Sequence, residues 1–326
     1  MLHSVSALCH PPVDGRVSQK RAGAVPESPL SQESSHVLLQ ALASLAATAA
    51  AQDSTGATRL VRALLQPLCT RLDATLQVLV GTDVSQAAPP VAAAATVAES
   101  LIAELLALRA LLSRWPAPLR AEGASALAPL SPSLAALLRG VTMSGIPIAS
   151  SYNPCRFANA ACEAAAALID GFGEYSTPFP PVLAPALAAR FDEATSHAIS
   201  ADSSPLRDPG AIVAAAAASR RGVLRVLRSM VLSGNYESDD EAGIAAALVR
   251  HVAEVFAVPI KVGSTVAAAA EQSVRADWFS LCAACIESSK ACRLLTPSAP
   301  FVLDACASIA TSRPCLLYTS DAADDS

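Results

Sequence analysis

The chain has 326 residues, of which 52% are hydrophobic, 16% are charged and only 4% are aromatic, and its formal net charge is −5. Much of the apolar content is alanine, which forms helices well but fills a large core poorly. Because the net charge is mild, we expect no general attraction to nucleic acid. No uninterrupted apolar run reaches the roughly 18 residues of a membrane span, so we expect no membrane insertion.

The nine cysteines lack the pattern of a disulfide framework. Five of them fall inside apolar helical runs, where a free cysteine behaves as a small hydrophobic residue: Cys69, Cys162, Cys282, Cys285 and Cys306. The opening MLHSVSALCHPP has neither the basic start nor the apolar length of a signal peptide. The sequence therefore predicts a soluble protein of a reducing, intracellular compartment.

Residues 1–33 mix Pro, Ser, Gly and charged side chains without periodicity, which predicts a disordered lead-in or a long loop. After this segment, leucines recur at helical spacing and form two apolar stripes. The first comprises Leu60, Leu64, Leu68, Leu72, Leu76 and Leu79, and the second comprises Leu101, Leu105, Leu108 and Leu112. Glu99 and Arg109 lie off the second stripe, so both segments read as amphipathic helices.

Several later helix starts are predicted by a capping side chain followed by proline. The cap accepts an orphan backbone N–H, and proline at the first helical position has no N–H to lose. These pairs are Ser131-Pro132, Asn153-Pro154, Thr177-Pro178 and Asp208-Pro209. Further starts are expected at 237–241, at Ser264 and at Ser298 with Pro300. Together the signals predict about ten helices joined by short turns, with no strand.

The predicted fold is therefore all-α, with helical repeats over residues 34–314. Two-helix units of roughly 40–50 residues, none of which can bury its apolar face alone, are typical of a HEAT-like α-solenoid. A single helical bundle is the alternative. The scarcity of bulky aromatic residues and the steady succession of similar helices favour the solenoid.

Signals of catalysis are weak. Gly171-Phe-Gly173 is a lone GxG at a predicted helix end, where glycine caps the helix, and it lacks the strand and third glycine of a nucleotide site. Cys282 and Cys285 have no second cysteine or histidine pair at zinc spacing, so they read as core residues. The histidines stand far apart: His3, His10, His36, His197 and His251. We predict no enzyme, cofactor or metal site; a site assembled only in space is a minor alternative.

Three arginines share one predicted helix face at i, i+4 and i+7: Arg221, Arg225 and Arg228. Such a row could bind acidic or phosphorylated partner segments, because guanidinium groups suit carboxylates and phosphates. Alternatively, it is a solvated face whose charges pair with neighbouring carboxylates. The acidic run Glu237, Asp239, Asp240 and Glu241 could attract a basic ligand, or could complement the positive end of the next helix.

Three blocks resemble successive repeats late in transportin-SR and importin-thirteen, which are karyopherin-β receptors. The blocks are ANAACEAAAALIDGFGEYSTPFPPVLAPALAARFDEA, VLRSMVLSGNYESDDEAGIAAALVRHVAEVF and RADWFSLCAACIESSKACRLLTPSAPFVLDACASIA. The resemblance implies part of a nuclear transport receptor that binds protein cargo and nucleoporins and shuttles between cytoplasm and nucleus. Ran GTPase would control it through regions outside this chain. The alternative is a cytoplasmic HEAT-repeat scaffold without a transport role.

One departure bears on the cargo. The matching helix in transportin-SR is arginine-rich and reads Arg/Ser segments, whereas CRFANAACEAAAALID keeps only Arg156 and has Glu163 and Asp170. The resemblance to importin-thirteen is therefore the better one.

The ending CLLYTSDAADDS interrupts the helical pattern after Pro314. It is similar to one translated frame of a common sequencing-library transposase adapter, so we interpret residues 315–326 as read-through. A native acidic tail is the alternative. Because a solenoid cut between repeats leaves an apolar flank uncovered, we predict that the 326-residue chain alone self-associates or is poorly soluble.

Overall fold

The computed structural model describes residues 32–50, 54–80, 91–139, 154–200, 209–233, 239–256, 265–287 and 299–311. These residues form eleven α-helices and three short 3-10 helices, and none of them is in a strand. The predictions of an all-α fold and of about ten helices are confirmed. The predicted lead-in, except for its last two residues, and the segment 315–326 lie outside the described residues.

The α-helices have the following bounds in chain order: α1 Gln32–Ala50, α2 Ser54–Val80, α3 Val91–Leu112, α4 Arg120–Leu127, α5 Ser131–Leu138, α6 Pro154–Phe172, α7 Pro180–Ser200, α8 Pro209–Ser233, α9 Asp239–Phe256, α10 Thr265–Glu287 and α11 Ala299–Thr311. The 3-10 helices are Ala117–Leu119 before α4, Ala128–Leu130 between α4 and α5, and Gly173–Ser176 between α6 and α7.

The helices stack in two layers. In the first layer α1 packs on α3, α3 on α6, α6 on α8 and α8 on α10. In the second layer α2 packs on α4, α5 on α7, α7 on α9 and α9 on α11. Apart from α4 and α5, which follow one another within the second layer, successive helices alternate between the layers, which is the arrangement of an α-solenoid. The HEAT-like character of the repeat stays a prediction.

Most predicted helix starts agree with the structure. Helices α6, α8, α9, α10 and α11 begin at Pro154, Pro209, Asp239, Thr265 and Ala299, each within the predicted signal or one residue after it. Local rules suffice here, because proline or an acidic residue at the first turn is favoured whatever the helix packs against.

Two predicted caps are wrong in detail. Ser131 opens α5, but its hydroxyl donates to the carbonyl of Ala128 at 2.7 Å instead of accepting an amide, because the preceding 3-10 turn already makes its backbone helical. Thr177-Pro178 lies in the turn before α7, which begins at Pro180. There the amide of Phe179 donates to the carbonyl of Ser176 at 3.0 Å, so the 3-10 turn extends through this segment before α7 begins.

The predicted leucine stripes form the core wherever their side chains are described. Leu64, Leu68 and Leu72 on α2 are buried, and so are Leu101, Leu105, Leu108 and Leu112 on α3. Glu99 and Arg109 are exposed, as their position off the stripe predicts. Leu60, Leu76 and Leu79 have side chains outside the described set.

The few aromatic residues concentrate at the joints between helices. Trp115 meets Phe172 edge-on with ring centroids 6.0 Å apart, and Phe172 stacks on Phe179 at 6.0 Å. A second group lies further along: Phe191, Phe256 and Trp278, with centroids 5.6 Å and 5.1 Å apart in succession. A small number of aromatic residues is thus compatible with a packed core, because each buried aromatic side chain removes a large apolar area from water.

Gly171 and Gly173 have different structural roles at the end of α6. Gly173 directly follows the helix with φ +56°, so it has the capping role that the sequence predicts. Gly171 lies under the end of α3, where an added Cβ would be 2.8 Å from the carbonyl oxygen of Leu112. The missing side chain therefore allows α3 and α6 to stack closely.

We expect Gly171→Ala to destabilise the chain by about 1–3 kcal/mol, because the clash is with backbone and no side chain can move aside. The matched control is Gly243→Ala on α9, where an added Cβ meets nothing within 4 Å. That variant should gain about 0.5–1 kcal/mol from helix propensity. Urea unfolding followed by far-UV circular dichroism measures both, and shifts of the same sign would contradict the close approach.

Candidate functional site

The arginine row predicted to share one face lies on α8 in the first layer. The side chains of Arg221 and Arg225 are 40% and 49% exposed, and Arg228 is exposed as well. Leu224 and Leu227, between them in the sequence, are fully buried. The helix therefore turns its arginines outwards and its leucines into the core.

Two of these arginines pair with carboxylates on the neighbouring helices of the same layer. Arg225 Nη1 lies 3.2 Å from Glu163 Oε1 on α6, and Arg221 Nε lies 2.7 Å from Asp277 Oδ2 on α10. Glu163 also accepts Arg109 Nη1 from α3 at 2.7 Å. Ion pairs thus connect four successive helices of the first layer, with Arg221 and Arg225 both paired, and binding of a partner by the arginine row stays a prediction.

Asp170 adds a polar contact between α6 and α8. It accepts hydrogen bonds from the hydroxyls of Ser229 and Ser233, both at 3.0 Å. Because Glu163 pairs with Arg225 and Asp170 with residues further along α8, the two helices run in the same direction. Glu163 and Asp170, the two acidic residues of α6, therefore bind residues of the neighbouring repeat. Arg156 has a side chain outside the described set.

We call this surface the charged face: Arg109, Glu163, Asp170, Arg221, Arg225, Arg228 and Asp277. It holds four arginines and three carboxylates, so it is slightly positive. Arg228 forms no ion pair with any residue that the structure describes. Because exposed ion pairs contribute only about 0–1 kcal/mol, a partner carboxylate can replace Glu163 or Asp277 at little cost. The charged face can thus accept an acidic segment.

A buried ion pair lies beneath the charged face. The side chains of Arg220 on α8 and Glu271 on α10 are paired while only 2% and 5% of each residue is exposed. This pair was not predicted from the sequence, although one signal was present: Arg220 precedes Leu224 by four residues and Leu227 by seven, which places it on the apolar stripe. The pair joins two helices of the first layer.

The acidic run lies at the beginning of α9. The helix starts at Asp239, so Asp239, Asp240 and Glu241 occupy its first turn, where negative charge stabilises the helix N-terminus. Their side chains, and all of Glu237, lie outside the described set. Binding of a basic ligand by this run stays a prediction.

The second layer brings together one pair that the sequence separates. His251 Nε2 on α9 lies 2.8 Å from Asp192 Oδ1 on α7, and both side chains are half exposed. Among the described residues, the ring of His251 hydrogen-bonds to Asp192 and to no hydroxyl or thiol. The contact is a hydrogen bond between the stacked helices α7 and α9, and the absence of enzyme activity stays a prediction.

The CxxC motif lies in the core, as predicted. Cys282 and Cys285 are buried on α10, and Cys306 on α11 is half-buried. Burial, reinforced by the neighbouring Cys306 and Cys285, raises the pKa of the Cys282 thiol well above its usual range. A protonated thiol neither binds metal nor attacks substrates readily. Within the described part of the chain, no three metal-binding side chains lie close enough to hold an ion.

Cys162 allows a test of pH dependence. It is buried on α6 against Gly222 of α8, and burial raises the pKa of its thiol to about 12, despite the lowering effect of Arg190 and Arg225. In the unfolded chain the thiol has its ordinary pKa and ionises near pH 9. Above that pH the unfolded state loses its proton while the folded state keeps it, so stability falls as pH rises from about 9 to 12.

We therefore expect the chain to lose about 1.4 kcal/mol more stability per pH unit above pH 9 than Cys162→Ala does. Urea unfolding of both proteins between about pH 8 and pH 10.5 measures the difference. Subtracting one slope from the other removes the contribution of the other cysteines, which both proteins share. Parallel pH profiles would show that the Cys162 thiol is not desolvated.

The alternating helices and the two-layer stack place the chain in the class of α-solenoid proteins. No family model, curated protein or solved structure matches it significantly. None of the described helices has both the length and the apolar character needed to cross a bilayer.

Proposed function

We propose that this chain is part of a nuclear transport receptor of the karyopherin-β kind, which binds protein cargo and nucleoporins and moves through nuclear pores under Ran control. The observation that carries the proposal is the two-layer stack of alternating helices. Such arrays expose long, continuous helix faces suited to wrapping other proteins.

The order of helices also supports the proposal. The first resembling block is a helix, a short turn and a proline-bearing helix, and it coincides with α6, the 3-10 turn and α7, which contains Pro185. The second block coincides with the end of α8 and with α9, and the third with α10 and α11. Each block that resembles a receptor repeat therefore contains a helix from each layer.

The charged face is the proposed cargo contact. Its ion pairs between repeats are exposed and weak, and Arg228 has no such pair among the described residues. An acidic cargo segment would bind Arg225 and Arg228 across one turn of α8, because guanidinium groups form strong charge-assisted hydrogen bonds to carboxylates.

The proposal is tested by adding the fluorescently labelled chain to permeabilised cells. A transport receptor should accumulate at the nuclear rim, and excess unlabelled chain should displace it. A cytoplasmic scaffold, the alternative function, should show no saturable rim signal. Immobilised nucleoporin segments should likewise retain the chain, whereas an unrelated disordered segment of equal length should not.

Cargo recognition is tested separately with Arg225→Glu combined with Arg228→Glu. These changes should abolish capture of acidic protein partners while rim binding persists. The matched control is Arg250→Glu on α9, an equally exposed arginine of the second layer, which should leave capture unchanged. If the control reduces capture as much as the double variant, the charged face is not the cargo site.

A further inference from the structure

The last described helix of the first layer exposes an apolar face. On α10 the residues Ala276, Phe279, Ala283 and Ile286 are exposed and recur at i, i+3, i+7 and i+10. Phe279 is 43% exposed and Ile286 is 70% exposed. The next exposed position towards the N-terminus, Gln272, is uncharged. We call these residues the tail face.

The first helix of the same layer exposes a comparable face. On α1 the apolar residues Val37, Ala41 and Leu45 are exposed, with Val37 and Leu45 each at 65%. The neighbouring Ser44 and Thr48 hydroxyls donate to backbone carbonyls one turn earlier, at 3.0 Å and 3.2 Å. Because these hydroxyls have acceptors within the helix, they do not require water. We call these residues the head face.

The residues that define the head face and the tail face are uncharged, in contrast to the interior of the layer; half-exposed Arg275 borders the tail face one turn before Phe279. There the exposed or half-exposed positions include Arg109 on α3, Glu163 on α6 and Arg225 on α8. Each of these three helices is flanked on both sides by helices of its own layer. An uncharged apolar stripe at helical spacing is typical of a helix face that another helix covers.

We infer that the head face of a second copy of this chain covers the tail face, so that α1 of one copy stacks on α10 of the other. Both faces belong to the same layer, and the contact repeats the stacking of α10 on α8. Ala276 and Ala283 leave space for a close helix approach, and Phe279 and Ile286 supply the large side chains that fill the grooves.

The second layer adds charge complementarity at the same junction. Helix α11 exposes Asp304, and α2 exposes Arg59 and Arg62. Since α2 and α11 are the first and last described helices of the second layer, stacking head on tail places these two helices and their opposite charges beside each other. Electrostatic attraction of this kind favours head-to-tail contact over tail-to-tail contact, which would bring two Asp304 carboxylates together.

Head-to-tail contact joins two different surfaces, so it does not end with a dimer. Each copy keeps a free head or a free tail after the first contact, so association continues into open-ended assemblies unless the rotation closes a ring. The inference concerns a second copy of the chain and does not depend on the transport function.

The test uses the full chain, sedimentation velocity and light scattering over a range of concentrations. The tail variant carries Phe279→Asp and Ile286→Asp, and the head variant carries Val37→Asp and Leu45→Asp. We expect the unchanged chain to exceed the mass of two copies as its concentration rises, and each variant alone to stay monomeric. A mixture of the two variants should form a dimer and nothing larger, because one intact head and one intact tail remain.

Three controls separate this outcome from misfolding or general stickiness. Ile199→Asp with Leu232→Asp removes equally exposed apolar residues away from both ends and should leave the mass distribution unchanged. Ile286→Leu should do the same, and circular dichroism should show equal helicity in all variants. A monomeric unchanged chain, dimers of the head variant alone, or a mixture that stays monomeric would each overturn the inference.

Discussion

Replacing Glu271 with alanine should lower the free energy of unfolding by about 3–5 kcal/mol, because it leaves the Arg220 guanidinium buried without its partner. Arg220 is 2% exposed, so water cannot replace the lost carboxylate. Its Nε already lacks a hydrogen-bond partner among the described residues. The loss is measurable as a shift in urea unfolding followed by circular dichroism.

Two further variants establish the origin of that loss. Glu254→Ala removes an exposed carboxylate that pairs with Arg250 at 2.9 Å, and it should change stability by less than about 1 kcal/mol. Combining Arg220→Met with Glu271→Leu should recover most of the loss, since two apolar side chains need no charge compensation. A Glu271→Ala protein as stable as the original would show that this pair is solvated.

Truncating Trp278 to alanine should cost about 3–5 kcal/mol, the usual range for a fully buried large aromatic residue. Trp278 on α10 stacks on Phe256 of α9 with centroids 5.1 Å apart, and Phe256 contacts Phe191 of α7. The substitution therefore opens a cavity where three helices from both layers meet. Because solenoid repeats contact only their neighbours, hydrogen exchange should accelerate in α9 and α10 and stay unchanged in α1 to α3.

The adjacent residue provides a matched control. Phe279 is 43% exposed, so Phe279→Ala should change stability by only about 0.5 kcal/mol in dilute, monomeric protein. Both measurements belong at a concentration below that of self-association, where the tail face is free. Equal losses from the two substitutions would mean that Phe279 is covered within a single chain.

The exposed ion pairs of the charged face and the buried ion pair beneath it have different roles, although Arg221 and Arg220 are adjacent in the sequence. Arg221 is exposed enough to exchange Asp277 for a partner carboxylate, whereas Arg220 holds α8 against α10 and is inaccessible. Charge substitutions on the charged face should therefore alter binding with small effects on stability. Substitutions in the buried pair should do the reverse.

Most of the predicted helix starts, and the direction of the apolar faces of α2 and α3, follow from local sequence. Leu101, Leu105 and Leu108 are buried as their spacing indicates, and Pro154 and Pro209 begin helices as their position after a capping residue indicates. Both signals act within a few residues of one another. Prediction failed at Ser131 and Thr177, where a 3-10 turn immediately before the helix uses the same hydrogen-bonding groups.

The sequence by itself determined the helical class, most of the predicted helix starts and the shared face of Arg221, Arg225 and Arg228, because these depend on local spacing. Only the tertiary structure decided which carboxylates meet those arginines, since Glu163 and Asp277 lie 62 and 56 residues away from their partners. Stacking also decided that Leu224 and Leu227 on α8 are covered, while Phe279 and Ile286 on α10 stay exposed within the described part of the chain. A helix specifies which face is apolar, but only its neighbours determine whether that face is buried.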